Sequence, residues 1–286
     1  MVDNTQPNEQ IGEETYDHGR LSYANTFSNP WKANTIRLIE WTTGKIKLLQ
    51  LIRKFERQGA PVGQTFWPQG LEIMGIDLLT PEEQVLNIPK TGPVVVVANH
   101  PHGLVDGMVL AELIGRIRTD YKILTRSLLT GVPEIAEFMI PVAFPHEADA
   151  VQKNLEMRRD SMAHLKKGGV IVLFPAGAVA ATETMFGEAI ERDWNPFTAK
   201  MIKRSGATVV PIYFPGKNSR AYHIADKVSA TLRQGLLLHE VRRSLNKPQN
   251  PVIGEAITPD EMGDMVDKPR EFMAWLRDKT LALKNR

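Results

Sequence analysis

Apolar positions along the chain follow two periods. Five short runs, "VVVVAN" (94–99), "KILTRS" (122–127), "VIVLFP" (170–175), "TVVPIYF" (208–214) and "VIGEAI" (252–257), are strand-like, and several lack polar alternation, as strands covered on both faces require. Between them, residues 106–118, 150–167, 194–205 and 221–245 carry helical patterns, and a last one lies near 268–284. This alternation predicts an α/β fold with a mostly parallel central sheet flanked by helices, as one domain over residues 60–286. Pro211 sits inside one strand pattern, where a missing ladder donor predicts an edge or a bulge.

Residues 31–57 have a different character, with seven Lys or Arg against two Glu. Leu38, Trp41, Leu48, Ile52 and Phe55 fall near one helical face, which Ile39, Ile46 and Leu49 widen. The basic residues, among them Arg37, Lys45 and Lys47, lie mostly elsewhere, so residues 31–59 predict a basic amphipathic helix, or two broken near Thr42 to Gly44. Such a helix can lie in a membrane interface with Trp31 and Trp41 at headgroup depth. It can equally pack its apolar stripe on its own core. A connection containing Gly and Pro follows near 59–70. Residues 1–30 are polar and open with an acidic stretch, the reverse of a signal peptide, and read as a disordered tail.

Composition narrows the chemistry. Apolar residues make up 42% and charged residues 24% of the 286, enough for a sizeable core. The chain has no cysteine, which excludes disulfides, thiolate nucleophiles and Cys-ligated zinc together. A net charge of +2 gives no ground for a nucleic-acid partner. Apolar runs reach only roughly half a dozen residues, against the ~18 to 20 needed to span a bilayer, so no transmembrane helix is expected. There is no internal repeat or low-complexity linker.

The stretch "NHPHGLVDG" (99–107) follows the most apolar run. A strand ending at Asn99 puts His100, Pro101 and His102 in the loop beyond its carboxyl end, where open α/β sheets bind ligands. Asp106 falls near the start of the next helix and could cap it. A carboxylate a few residues from a histidine can hold one ring nitrogen and leave the other free to accept a proton. With no cysteine and no G-x-S-x-G elbow, such a base would act on a hydroxyl or water brought by substrate. Two other readings of the same residues stand: a structural His–Asp pair with a helix cap, and a His-x-His metal site that would have to recruit His146 or His164. A second strand ends in "FPAGAVA" (174–180), where Gly177 lets the backbone approach a ligand closely.

"NHPHGLVDG", "FPAG" and "VVPIYF" have the order and spacing of the motifs of the PlsC-like lysophospholipid and glycerolphosphate acyltransferase family, which the chain resembles over roughly Trp67 to Ile257. The resemblance implies His100 as the base that deprotonates an acceptor hydroxyl and Asp106 as its orienter. The hydroxyl then attacks an acyl thioester directly, without metal or organic cofactor, and backbone N–H groups near Gly177 or Gly103 meet the oxyanion. It also implies that Asn99, His102, Gly103, Phe174, Pro175, Ala176, Gly177 and Pro211 surround the substrate. Residues 31–59 then correspond to the family's membrane-docking helices, through Trp31, Arg37, Leu38, Trp41, Lys45, Lys47, Leu48, Ile52 and Phe55, at the cytoplasmic face of the inner membrane.

Two departures from the family pattern refine this expectation. Five residues separate His100 from Asp106 and three separate His102, the alternative base, from it, against the common four, and "NHPxGxxDG" resembles a variant of bacterial aminolipid acyltransferases. The family's Glu and Arg in FPEGTR are replaced by Ala176 and by Val179 or Ala180, which removes a cation suited to an acceptor phosphate. The chain therefore resembles most the lyso-ornithine-lipid O-acyltransferases, with a lysolipid acceptor and acyl-carrier protein, or coenzyme A, as donor carrier. Lysophosphatidic acid is the other acceptor, with Lys217, Arg220 or Arg126 as phosphate contacts. A hydrolase and a silent lipid-binding module are the rival classes. Basic pairs at Arg158/Arg159, Lys166/Lys167, Lys203/Arg204 and Arg242/Arg243 suit an acidic carrier protein or are plain solvated faces.

Overall fold

The computed structural model describes residues 21–125, 132–143, 149–184 and 187–285. In chain order the helices are α1 (Pro30–Glu40), α2 (Ile46–Arg57), α3 (Phe66–Ile73), α4 (Glu82–Val85), α5 (Leu104–Gly115), α6 (Ala150–Lys166), α7 (Pro196–Ser205), α8 (Arg220–Val228), α9 (Ala230–Gly235), α10 (Leu237–Ser244), α11 (Pro259–Met262) and α12 (Pro269–Ala282). The strands are β1 (Val94–Ala98), β2 (Tyr121–Thr125), β3 (Met139–Pro141), β4 (Val170–Leu173), β5 (Ala181–Thr182), β6 (Ala189–Ile190), β7 (Thr208–Tyr213) and β8 (Val252–Ile253). Six of them form the central sheet in the order β3-β2-β4-β1-β7-β8. All its pairs are parallel except β7 with β8. The expected mostly parallel α/β architecture is therefore the one observed.

The continuous apolar runs are explained by burial on both faces. Val94 and Val96 of β1 belong to one core cluster with Trp67, Met108 and Leu238, from α3, α5 and α10. Val95 and Val97 belong to a second, with Met157, Ile202 and Phe272, from α6, α7 and α12. Each fully buried apolar side chain contributes on the order of 1.5–3 kcal/mol, so this two-sided sheet is the main stabilising body of the fold. Its central strands, β1 and β4, send their chains to opposite sides, β1 toward β2 and β4 toward β7, which opens a crevice beyond their carboxyl ends.

Pro211 pairs with Val97 in the interior of the sheet, so β7 is no edge strand there. The expected bulge lies on the facing chain. Ile212 pairs with Ile253 and Val209 bridges Ile257, so one side advances by one residue more than the other, and Gly254 N–H donates to the Pro211 carbonyl at 2.9 Å.

Three expectations change. The single helix expected over 221–245 is three, α8, α9 and α10, because Ser229 turns extended and caps α9 with its hydroxyl. The tail expected over 1–30 is packed from residue 21 onward: Leu21 joins the core, and Ala24 packs with Ala33 and Ile36 of α1. Residues 1–20 lie outside the described residues. The break expected near Thr42 to Gly44 is a π-helical turn, Trp41–Lys45. One extra residue in a turn rotates everything beyond it by about 100° relative to a plain helix. Lys45 and Leu48 are consequently buried, and the half-buried Ile52 and Phe55 line an open apolar pocket. Trp31, Leu38, Trp41 and Ile46 stay outside, 83%, 67%, 54% and 49% exposed. The one apolar face read over 38–55 is thus two.

Candidate active site

The loop after β1 turns sharply into α5 at Gly103, whose φ of +82° favours glycine. Asp106 sits in the first turn of α5, fully buried, and its carboxylate reaches back across the loop. Oδ2 accepts from Gly103 N–H at 3.1 Å and from His102 N–H at 2.9 Å. Both imidazoles bind the same group, His100 Nδ1 to Oδ2 at 3.0 Å and His102 Nδ1 to Oδ1 at 2.9 Å. The cap and the orienting carboxylate are therefore one residue. Burial alone would raise the Asp106 carboxyl, but hydrogen bonds from His100 and His102 outweigh it and hold it at about 2. For His102 burial works downward, while the Asp106 hydrogen bond and charge leave it raised. Against an ionised carboxylate each Nδ1 carries the proton and donates, so Nε2 is the nitrogen left to accept one.

The two histidines differ in what Nε2 meets. His100 lines a cavity of about 390 Å³ at the carboxyl ends of β1, β2 and β4. Its ring stacks on Phe174 at 3.8 Å between centroids and 21° between planes, and its carbonyl accepts from Ala180 N–H at 3.0 Å. His102 lies outside that lining, under Gly216, where an added Cβ would stand 2.6 Å from His102 Nε2. The second ring thus stands on the other oxygen of the carboxylate, outside the cavity lining.

The other sequence candidates divide. Gly103, Phe174, Pro175 and Gly177 line the cavity with His100. Asn99 does not: it is buried, and its amide is committed to Phe214, donating to that carbonyl at 2.9 Å and accepting from that N–H at 2.7 Å. Pro211 is held mid-strand and Ala176 packs into the second core cluster. Lys217 and Arg220 are exposed outside the lining, while Arg126 and His146 lie outside the described residues. His164 binds the Asp120 carbonyl at 2.7 Å, at the opposite end of the sheet. Of the backbone N–H groups near Gly103 and Gly177 expected to meet an oxyanion, those two glycines' own are taken: Gly103 N–H binds Asp106 and Gly177 N–H closes a turn onto the Phe174 carbonyl at 2.9 Å.

Glu191 escaped the sequence reading. Its buried carboxylate accepts from His100 N–H at 3.2 Å and from Trp194 Nε1–H at 3.0 Å, and burial raises its carboxyl above the ordinary range despite those bonds. Arg277 of α12 donates to its carbonyl at 3.1 Å. Glu191 lies 91 residues from His100 in a segment without periodic pattern, so no local signal marks it.

A histidine whose Nδ1 is held by a buried carboxylate thus lines the cavity, in a chain with no G-x-S-x-G elbow and no cysteine, an arrangement suited to taking a proton from a hydroxyl or water. The chain is 26% identical over 204 residues to the lyso-glycine lipid O-acyltransferase of Phocaeicola vulgatus, covering 67% of this chain and 68% of that protein. It is 25% identical over 217 residues to the protein of the same name from Bacteroides thetaiotaomicron, covering 73% of each. The crystal structure of the 1-acyl-sn-glycerophosphate (LPA) acyltransferase PlsC from Thermotoga maritima aligns with a TM-score of 0.49 at 14% identity, over 92% of this chain and 86% of that one. A family described as Acyltransferase matches residues 75–248, which contain His100, Asp106, Glu191 and every described wall of the cavity from β1 to α10; the chain belongs to this acyltransferase family.

Proposed function

We propose that the enzyme moves a fatty acyl group from an acyl thioester, carried by acyl-carrier protein, to the hydroxyl of a lyso-aminolipid. The observation that carries the reading is the divided histidine pair, with His100 at the cavity and its Nδ1 anchored on an ionised Asp106. As the acceptor oxygen attacks the thioester carbonyl, His100 Nε2 takes its proton, and Asp106 stabilises the imidazolium that forms. Collapse of the tetrahedral adduct expels the thiolate, which recovers that proton from His100. Ala178 and Val179 line the cavity, and their N–H groups make no hydrogen bond among the described residues, so they are the donors we assign to the developing oxyanion. No acyl-enzyme is required, and an acyl group trapped on the protein by mass spectrometry would contradict this mechanism.

The acceptor class is supported by the neutral "FPAG" wall and by the names of both relatives, which make a glycine headgroup the first choice and ornithine the next. An apolar chamber of about 160 Å³ shares Leu104 with the cavity and has the lining to receive an alkyl chain. The outer face of α1, the π-turn and the start of α2, with Trp31, Leu38, Trp41 and Ile46 beside Arg37 and Lys47, would seat the enzyme on the cytoplasmic face of the inner membrane. His100→Ala should lower kcat by about 10²- to 10⁴-fold, the usual worth of a positioned base, and His102→Ala by much less. Equal loss in both variants would overturn the choice of base. Intact lipids of cells lacking the gene should accumulate a lyso-aminolipid, whereas loss of phosphatidic acid synthesis would point to the phosphate-bearing acceptor. Free fatty acid released without acceptor would mark a hydrolase.

A further inference from the structure

We infer that Arg158 of α6, with Thr198 and the N-terminal end of α7, forms an anion subsite on the cavity wall supplied by α6 and α7. The inference rests on the acceptor reading above, because it assigns the cation that the neutral "FPAG" wall lacks. Among the described residues two arginines line the cavity, Arg158 and Arg233. Arg233 is already neutralised, its Nη1 donating to the buried Asp226 carboxylate at 2.7 Å. Arg158 has no carboxylate partner among the described residues; its guanidinium lies over the Phe197 ring, 4.9 Å from the centroid. Stacking on an aromatic face holds that plane while leaving its N–H edges open.

Phe197 belongs to the first turn of α7, and Asn195, Phe197 and Thr198 all line the cavity. The ten-residue α7, whose Phe197 and Thr198 N–H groups close on Asn195, therefore brings the positive end of its dipole to the wall where Arg158 stands. Thr198 supplies an independent sign of a missing ligand. It is 1% exposed and its hydroxyl has no hydrogen-bond partner. Thr35 and Thr280, deeper in their helices, return the hydroxyl to the carbonyl four residues back, on Trp31 and Leu276; Thr198, in the first turn of α7, has no helical carbonyl there to use. A buried hydroxyl left unpaired is destabilising, and an anionic oxygen at the cavity wall would satisfy it together with Arg158.

The occupant is a small oxyanion carried by one of the two substrates, the carboxylate of an amino-acid headgroup or a phosphate of the thioester carrier. The test uses the full chain, N-dodecanoylglycine and its methyl ester as probes for calorimetric binding, and steady-state KM values for both substrates. If the acceptor fills the subsite, the wild type binds the free acid at least tenfold tighter than the ester. Arg158→Gln and Thr198→Val then reduce that preference and raise the acceptor KM with little change in kcat. If the donor fills it, Arg158→Gln raises the thioester KM tenfold or more and leaves probe binding unchanged. Unchanged binding and unchanged KM values in both variants, with a wild type that acylates lyso-aminolipid, would overturn the subsite alone. A wild type that acylates no aminolipid would instead remove the acceptor reading, and the acid-to-ester preference would still decide the subsite.

Discussion

Asp106 takes four hydrogen bonds in full burial, two from imidazoles and two from backbone N–H groups, and this sets how the protein responds to acid. Its folded value, about 2, lies below the ordinary 3.8. Its contribution to stability is therefore complete above pH ~4 and is lost as pH falls from there toward 2. A difference of that size is worth on the order of 2 kcal/mol. His102 acts in the opposite sense, since a raised folded value stabilises at low pH and the contribution disappears as pH rises through that value. Urea unfolding at pH 6, 4 and 3 should show the wild type losing more stability than Asp106→Asn over the acid step. Equal losses would mean that the carboxylate is not held down as described. At this scale His100 and Asp106 were legible because strand end, loop and helix start are consecutive in the chain. The Asn99–Phe214 and His100–Glu191 bonds were not, since each joins residues about ninety or more apart with no shared pattern.

Among the elements, the π-turn at Trp41–Lys45 decides which side of the N-terminal helices meets the core. Sequence periodicity alone assumes an unbroken helical repeat, and so it placed Leu38 and Leu48 together when one extra residue separates their faces. β3 was missed because three residues carry no alternation to read. Gly44, inside the π-turn, lies against α10, where an added Cβ would stand 2.7 Å from the Leu238 carbonyl oxygen. Helix propensity favours alanine over glycine by about 1 kcal/mol, but the overlap is with backbone, and overpacking of that kind costs about 1–3 kcal/mol. Gly44→Ala should accordingly lower the midpoint of thermal unfolding. A raised midpoint would show that α10 yields easily and that the π-turn is not pinned there.

For the whole molecule, the two-sided sheet and the exposed Trp31–Ile46 face are separable, and the proposed membrane seat depends on the face alone. Replacing both Trp31 and Trp41 with Glu removes two exposed amphipathic rings. Flotation with vesicles rich in anionic lipid should fall about tenfold or more, while unfolding in urea stays as in the wild type. Retained flotation would place the membrane contact elsewhere. The same carboxylate starts α5 and aims His100, and this has an evolutionary consequence. A descendant that abandons catalysis can discard its histidine at once, yet must keep the aspartate to start the helix. Silent members of such a lineage would be recognised by an intact Asp106 facing an altered His100, and an alignment scored on the aspartate alone would count them as enzymes.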